Sequence, residues 1–173
     1  MKPVANYIPH QPPMRLIGEL LSVEEYQVVV DARVSTDNVF FSADAGGVPT
    51  WVGIEYMAQA AAVWVGLHCE RRGRPIAPAF LLSSRQYTAH QPVFSAGQQL
   101  RVQVYADLVE EPIVAFTGQI TDNRGKLLVE AIFSAYQPDD LEAFLHQSDP
   151  QGVENVGRLT SDGERGTGNG ERG

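Results

Sequence analysis

The stretch from Asn38 to Gln59, NVFFSADAGGVPTWVGIEYMAQ, holds the residues best suited to chemistry. A glycine-rich polar loop runs through Pro49 into an apolar helix that carries one carboxylate, Glu55, near its start. Since a carboxylate among small and apolar neighbours is costly to bury, Glu55 indicates acid/base work rather than packing alone. Gln59 follows one helical turn later and could orient Glu55 or a substrate. The alternative is that Glu55 only stabilises the helix dipole and that Gln59 is a polar residue of the helix surface.

The histidines, which often share acid/base work with a carboxylate, all lie far from Glu55 in sequence. No histidine occurs between residues 11 and 67, and the four in the chain are His10, His68, His90 and His146. Each fits an ordinary surface, capping or core position, and His10 and His90 are the two considered as a displaced base. The sequence contains no cluster with metal-ligand spacing and no nucleotide motif, so we expect neither a metal nor a cofactor.

Length and composition predict one domain followed by an acidic tail. With 173 residues, of which 43% are hydrophobic, the chain can form a single domain with one core, which we place at residues 1–138. Residues 139–173 hold eight of the 21 acidic and three of the 13 basic residues, a net charge of −5. We expect this glycine-rich tail to be largely disordered, apart from one or two helical turns at Asp140–His146, because it has little apolar surface to bury.

Charge and hydropathy exclude several classes of function. Residues 1–138 carry a net charge of −3 and lack the basic surface of a nucleic-acid-binding protein. No apolar run reaches the roughly 18 residues of a transmembrane helix, and the N-terminus lacks the apolar stretch of a signal peptide. Cys69 is the single cysteine, so no internal disulfide can form, and we expect a cytoplasmic protein without membrane insertion.

The pattern of apolar residues predicts one long helix among antiparallel strands. The helix is placed at Trp51–Arg71, because small and apolar residues recur there at helical spacing and Gly73 follows as a C-terminal cap. Six strands are predicted, at Leu16–Leu21, Tyr26–Val34, Ala79–Tyr87, Gln99–Val109, Ile113–Asp122 and Leu127–Tyr136. The order β-β-α-β-β-β-β is that of an α+β domain in which a sheet of consecutive hairpins wraps around the helix.

Several segments resemble motifs of the 3-hydroxyacyl-ACP dehydratases. The similar segments are IPHQPPM at Ile8–Met14, the pair Phe40-Phe41, EYMAQ at Glu55–Gln59, and pieces between Phe80 and Leu100 that include Pro92-Val93. The string GVPTWVGIEYMAQ, residues 47–59, resembles the dehydratase-like proteins of aryl-polyene and related lipid pathways. The resemblance covers residues 8–137.

This resemblance implies a hotdog fold, in which one long central helix is wrapped by a curved antiparallel sheet of five to six strands. It implies removal of water from a 3-hydroxyacyl thioester carried by an acyl carrier protein or by CoA. In that family a histidine of one subunit and a Glu or Asp on the helix of the other form the acid/base pair. A backbone N–H group near the helix start polarises the thioester carbonyl. By resemblance, Glu55 takes the acid role.

Further residues are expected to contact the substrate or its carrier. The substrate contacts implied by the resemblance are Gly47, Pro49, Trp51, Gly53, Met57, Phe80 and Leu82. For the last three of these, plain core packing is the alternative. Arg71, Arg72 and Arg74 follow the helix and could contact an acidic carrier protein, or they could complement the helix dipole and face water.

The chain departs from the family where the catalytic histidine is expected. Counted forward from Phe40-Phe41, that position falls on Asp44, which is either a second catalytic carboxylate or a solvated turn residue. Three functions therefore stay open: a dehydratase that uses Glu55 with Asp44 or a displaced histidine, a non-catalytic or half-site partner of a histidine-bearing hotdog paralogue, and an acyl-CoA or acyl-ACP thioesterase. In each case we expect a homodimer or a heterodimer.

Overall fold

The computed structural model describes residues 2–147, and the chain divides into two units, Met1–Asp139 and Asp140–Gly173. Within its described residues, the first unit has one α-helix, α1 (Gly53–Arg71), and eight strands. The strands are β1 (Leu20–Val23), β2 (Gln27–Arg33), β3 (Gly47–Pro49), β4 (Phe80–Ala89), β5 (Val93–Ser95), β6 (Gln99–Glu110), β7 (Ile113–Asp122) and β8 (Leu127–Tyr136).

Six of the strands form one antiparallel sheet in the order β1-β2-β6-β7-β8-β4. The turn between β7 and β8 is formed by Gly125, with φ of 83°, and by the carboxylate of Asp122, which accepts the N–H groups of Arg124 and Lys126. The order leaves β1 and β4 as the two edges of the sheet. The remaining strands, β3 and β5, pair with each other in a small second sheet.

Helix α1 packs against the curved sheet, so the hotdog architecture that the resemblance implies is confirmed. Met57 is fully buried beside Gly118 of β7, a position where any side chain would collide with it. About two turns further along α1, the Trp64 ring meets the Phe116 ring edge-on, with centroids 5.6 Å apart. These contacts fix which side of α1 faces the sheet.

Both ends of α1 agree closely with the sequence pattern. The chain enters through a 3-10 turn at Thr50–Val52, so the helical path begins one residue before the predicted start at Trp51. At the other end Gly73 adopts φ of 65°, and the N–H groups of Gly73 and Arg74 close back on carbonyls of the last helical turn. This left-handed closure is why a glycine is needed there.

Two parts of the strand prediction need correction. The first strand begins at Leu20 rather than at Leu16, because the backbone N–H of Leu16 bonds to a helix side chain instead of a neighbouring strand. Strands β3 and β5 were not predicted, since three residues are too few to show a period of two. The predicted bounds of β7 and β8 are confirmed.

The second unit contains helix α2 at Leu141–Gln147, where helical turns were predicted. The Asp140 carboxylate accepts the N–H of Ala143 at 3.0 Å, as helix-capping side chains do. The rest of the predicted disordered tail lies outside the described residues. Among the described residues, no helix is long and apolar enough to cross a membrane.

Candidate active site

Residues 2–17, which we call the N-terminal strap, lie along α1 on the side away from the sheet. A helix turns about 100° per residue, so Glu55, Gln59 and Gly66 share one side of α1 and Met57, which faces the sheet, lies on the other. The strap contacts the side that carries Glu55. The start of the chain is thereby brought to the carboxylate that the sequence singled out.

Gln59 connects the strap to the helix through a side chain that is only 1% exposed. Its Oε1 accepts the backbone N–H of Leu16 at 2.9 Å, and its Nε2 donates to the carbonyl of Met14 at 2.8 Å. The second hydrogen of Nε2 goes to Oε1 of Glu55 at 2.9 Å. Every hydrogen of the amide is used, so the orientation of Gln59 is defined and Glu55 is held in one direction.

The strap places His10 beside Glu55. His10 Nε2 lies 3.5 Å from Glu55 Oε1, and the two side chains are 30% and 34% exposed. This separation suits an ion pair with a protonated imidazole and is longer than a well-formed hydrogen bond, as catalytic pairs often are before a substrate binds. Nδ1 of His10 is buried and has no hydrogen-bond partner among the described residues. The arrangement can hold or move a proton between a carboxylate and an imidazole.

The pair opens on a largely apolar cavity of about 240 Å³. Small and aromatic side chains of α1, β4 and β8, of the two residues before β4 and of the strap form most of its wall. The polar residues of the wall are His10, Glu55 and Gln59. The apolar wall consists of Pro9, Ala58, Ala62, Pro78, Ala79, Phe80, Leu81, Phe133 and Ala135. An apolar pocket with a few convergent polar groups is the usual form of a small-molecule site.

Of Met57, Phe80 and Leu82, which were predicted as substrate contacts, only Phe80 lines this cavity. Phe80, at the start of β4, forms part of its wall. Met57 has no exposed surface and packs in the core beside Gly118. Leu82 is 54% exposed on the edge strand β4. The structure therefore joins Phe80 to Glu55 and Gln59, and separates Met57 and Leu82 from them.

The predicted loop residues precede the helix and do not line the same cavity. Gly47 and Pro49 belong to β3, where Gly47 faces Ser95 of β5. Trp51 is 65% exposed and meets the Phe40 ring edge-on at 6.1 Å. These residues form the approach to the first turn of α1.

Gly53 begins α1 against the side chain of Tyr87. The Tyr87 hydroxyl donates to the carbonyl of Thr50, and burial raises its pKa to about 12. The tyrosine thus stays a neutral donor and fastens the entry to the helix. A side chain at position 53 would meet this hydroxyl at 2.5 Å, which is why the start of α1 is a glycine.

Asp44 is exposed at the tip of a tight turn between Ser42 and Gly47. It is not among the residues that line the cavity of Glu55. At the position predicted from Phe40-Phe41 the structure therefore shows a surface carboxylate, and the group beside Glu55 is His10.

The three arginines proposed to contact a carrier protein already have partners. Arg71 donates to the carbonyls of Glu24 and Glu25, at 3.2 and 3.4 Å. Arg72 and Arg74 both bond to the Glu111 carboxylate. The bond from Arg74, and then the positive charges of Arg74 and Arg72, lower the pKa of Glu111. The contact of these arginines with a carrier protein stays a prediction. The Glu111 carboxylate partly neutralises their positive charge.

Among the described residues, no group of three or more His, Cys, Asp or Glu side chains could hold a metal ion. What the cavity offers is one imidazole, one carboxylate and one buried amide on an apolar surface.

The six-stranded sheet wrapped around α1 defines the chain as a hotdog-fold protein. The family model described as "ApeP-like: ApeP dehydratase" matches residues 2–146, so the chain belongs to the ApeP-like dehydratase family. This confirms the resemblance to the aryl-polyene-type dehydratases. No curated protein sequence matches the chain.

Several solved structures have the same hotdog fold. "The Dehydratase Heterocomplex ApeI:P from Xenorhabdus doucetiae" contains a chain that is 31% identical, with a TM-score of 0.77, and the match covers 86% of this chain and 99% of that one. Two more distant structures show the same fold. A hypothetical thioesterase with coenzyme A from Streptococcus pneumoniae is 15% identical, with a TM-score of 0.54 and coverages of 69% and 84%. A Streptococcus mutans protein bound to acetyl CoA is 13% identical, with a TM-score of 0.57 and coverages of 77% and 97%.

His10, considered from the sequence together with His90 as a displaced base, is the histidine that the structure places beside Glu55. It lies 45 positions before Glu55 and precedes the first strand, so no local spacing connects the two. The available signal was the IPHQPPM segment, which stands out as a motif but gives no direction in space. The contact exists because Gln59 binds the strap backbone at Met14 and Leu16.

Proposed function

We propose that the chain is a catalytic subunit of a hotdog dehydratase that removes water from a 3-hydroxyacyl thioester. The observation that carries this proposal is the 3.5 Å approach of His10 Nε2 to Glu55 Oε1 at an apolar cavity. Membership of the ApeP-like dehydratase family supports the reaction class. The exposed position of Asp44, away from the cavity, favours His10 as the partner of Glu55.

The reaction needs two proton transfers, one from the α-carbon and one to the hydroxyl oxygen on the β-carbon. A base removes the proton from the α-carbon, the electron pair forms the α,β double bond, and the β-carbon–oxygen bond breaks. The departing hydroxyl takes a proton and leaves as water. A carboxylate and an imidazole within reach of each other can share these roles, one as base and the other as acid. Gln59 orients Glu55 for this work without itself exchanging a proton.

The cavity wall supports an acyl chain as the group that is bound. Ala58, Ala62, Ala79 and Ala135 leave space, and Phe80 offers an aromatic surface. The entry of α1 provides backbone N–H groups whose dipoles favour the negative charge that develops on a thioester carbonyl. An acyl carrier protein or CoA would carry the thioester, as the resemblance implies.

A second hotdog chain is the proposed partner. Strand β4 is an edge strand, and six consecutive residues of it, 81–86, are exposed, with Leu81 45% and Leu82 54% exposed. Edge strands of this length are normally covered or paired. Phe80 and Leu81 also belong to the cavity wall, so a chain seated on β4 would close the cavity on that side. The related Xenorhabdus chain was solved in a heterocomplex, which favours a heterodimer.

The test is dehydration of a 3-hydroxyacyl thioester by the purified chain, alone and mixed with a histidine-bearing hotdog subunit. The 2-enoyl product is followed by mass spectrometry. Glu55→Gln and His10→Ala should each lower the rate by about 100-fold or more, the usual contribution of general acid–base catalysis. Asp44→Asn is the matched control on an exposed carboxylate and should leave the rate within about twofold, as surface substitutions normally do.

The outcomes separate the remaining functions. Activity of the mixture that does not respond to Glu55→Gln or His10→Ala would make the chain a non-catalytic partner and refute the proposal. Release of free thiol from an acyl thioester, without a 2-enoyl product, would identify a thioesterase instead. If Asp44→Asn lowered the rate as much as Glu55→Gln and His10→Ala do, Asp44 would be assigned an acid/base role.

A further inference from the structure

The strap is fastened to α1 on both sides of His10. On the C-terminal side, the buried amide of Gln59 binds the backbone at Met14 and Leu16. On the N-terminal side, Tyr7 and Ile8 are buried, each with 4% exposure. His10 therefore sits on a short span between two fixed points, and its position depends on both.

The N-terminal fixed point is a contact between Tyr7 and Gly66 on the strap side of α1. The backbone of Gly66 is so close to Tyr7 that a Cβ atom placed at Gly66 would lie 3.1 Å from Tyr7 Cβ and Cδ1 and 3.3 Å from its carbonyl oxygen. The Tyr7 hydroxyl donates to Glu70 at 3.0 Å, one helical turn further on. Lys2 also bonds to Glu70, from the start of the strap.

We propose that Tyr7 and Gly66 are positioning residues that hold His10 against Glu55. This inference rests on the proposed function, because it assigns these residues to the same acid/base pair. Gly66 lies 11 residues after Glu55 on α1 and about 16 Å along the helix axis, and neither it nor Tyr7 lines the cavity. Their effect reaches the site through the strap, in which only Ile8 and Pro9 separate Tyr7 from His10.

The physical reason is the missing side chain at position 66. Carbon atoms prefer separations of about 3.5–4.0 Å, so a methyl group at Gly66 would push the Tyr7 backbone away from α1 by several tenths of an ångström. The helix itself would not suffer, since alanine favours the helical state more than glycine does. Gly66→Ala should therefore displace the strap at Tyr7 while α1 itself stays helical.

The experiment is a double-mutant cycle in the dehydration assay, using the full chain with its partner subunit. Gly66→Ala should lower kcat by about tenfold, within the range that a small misplacement of a catalytic group produces. In a His10→Ala background the same substitution should change kcat by less than about twofold, because the group it displaces is already gone. Tyr7→Ala removes the contact from the other side and should show the same pattern, whereas Tyr7→Phe keeps the ring and should retain most of the activity.

A second measurement does not depend on activity. The imidazole cross-peaks of His10 are recorded by NMR at one fixed pH in the wild-type chain and in Glu55→Gln. The Glu55→Gln substitution should shift the His10 cross-peaks clearly when the two groups are held together. In the Gly66→Ala background that shift should fall to less than half of its wild-type size, while the chain stays folded.

Each result bears on one of the two proposals. Losses from Gly66→Ala and His10→Ala that simply add would show a general structural effect and overturn the positioning role. An NMR shift of undiminished size in Gly66→Ala would overturn it as well. If the chain lacks dehydratase activity but the NMR shift depends on Gly66, the proposed function fails and the positioning of His10 by Tyr7 and Gly66 stands.

Discussion

Gln59 donates a hydrogen bond of 2.9 Å to Oε1 of Glu55, the residue one helical turn before it. The same amide also binds the strap, so the direction of the carboxylate and the path of the N-terminal chain are fixed by one side chain. A polar residue that is 1% exposed is tolerated on α1 because its amide oxygen and both amide hydrogens have partners. Two substitutions test this relationship in different ways.

Gln59→Leu should lower the free energy of unfolding by about 1–3 kcal/mol, because the N–H of Leu16 and the carbonyl of Met14 lose their partner. Urea denaturation measures the change. Gln103 is the control, since its amide bonds to Gln27 at 3.1 Å on a half-exposed part of the sheet. Gln103→Leu should cost less than about 0.5 kcal/mol, and equal costs at the two positions would contradict the role of Gln59.

Gln59→Glu should be more harmful at alkaline than at acidic pH. It keeps the shape of the side chain but replaces the donor with a carboxylate oxygen that faces Oε1 of Glu55. Two carboxylates in contact disfavour the state in which both are charged. Unfolding measured at about pH 5 and about pH 8 should show the larger loss at the higher value. A loss that is independent of pH would show that Glu55 and position 59 do not meet.

Gly118→Ala should destabilise the fold through Met57. A Cβ atom at Gly118 would lie 3.1 Å from Met57 Cγ and 3.0 Å from Phe133 Cε1, in a part of the core without spare room. Overpacking of this kind costs about 1–3 kcal/mol, measurable by urea denaturation. Shortening the neighbour, as in Gly118→Ala with Met57→Val, should recover part of that loss. Purely additive losses would show that Met57 does not fill this space.

His68 should make the fold less stable in mild acid. Its side chain is 17% exposed and stacks on Trp64 at 4.7 Å. Burial, and then the positive charge of Arg72, lower the pKa of His68 from its usual 6.5, and these effects outweigh the opposing influence of Glu111, 3.6 Å away. Arg74, which also bonds to Glu111, adds to the lowering.

The direction in which stability changes with pH follows from proton binding to His68. The unfolded chain binds a proton at position 68 more readily than the folded chain does, so stability is fully present above pH 6.5 and falls as the pH drops through the folded pKa. His68→Phe keeps the stack on Trp64 and should remove this part of the pH dependence. Urea denaturation at about pH 7.5 and about pH 5.5 tests it. Identical pH dependence in both chains would refute the role of His68.

Leu82→Lys should weaken association with a second hotdog chain. A charge on an edge strand opposes strand pairing and the burial of the neighbouring leucine, Leu81. Light scattering at several micromolar concentrations measures the assembly. Ile132→Lys is the control, because Ile132 is 41% exposed on β8, whose backbone is paired with β7 and β4. Association that responds to Ile132→Lys and not to Leu82→Lys would place the interface on the face of the sheet.

The long elements could be predicted because their patterns are local. The helical spacing of small and apolar residues between Trp51 and Arg71, followed by Gly73, fixed α1 to within a few residues. The strands predicted at Gln99–Val109, Ile113–Asp122 and Leu127–Tyr136 agree with β6, β7 and β8 to within one residue. These signals come from residues that are neighbours along the chain.

Glu55, Gln59 and Phe80 could be proposed from the sequence because a motif carries their identity. What the motif leaves undetermined is which groups surround Glu55. Asp44 is near it in sequence and lies exposed outside the cavity, whereas His10 is distant in sequence and lies at 3.5 Å. Only the tertiary structure decides this, because the contact depends on a strap that is fixed by Gly66 and Gln59 on the side of α1 that the sheet leaves open.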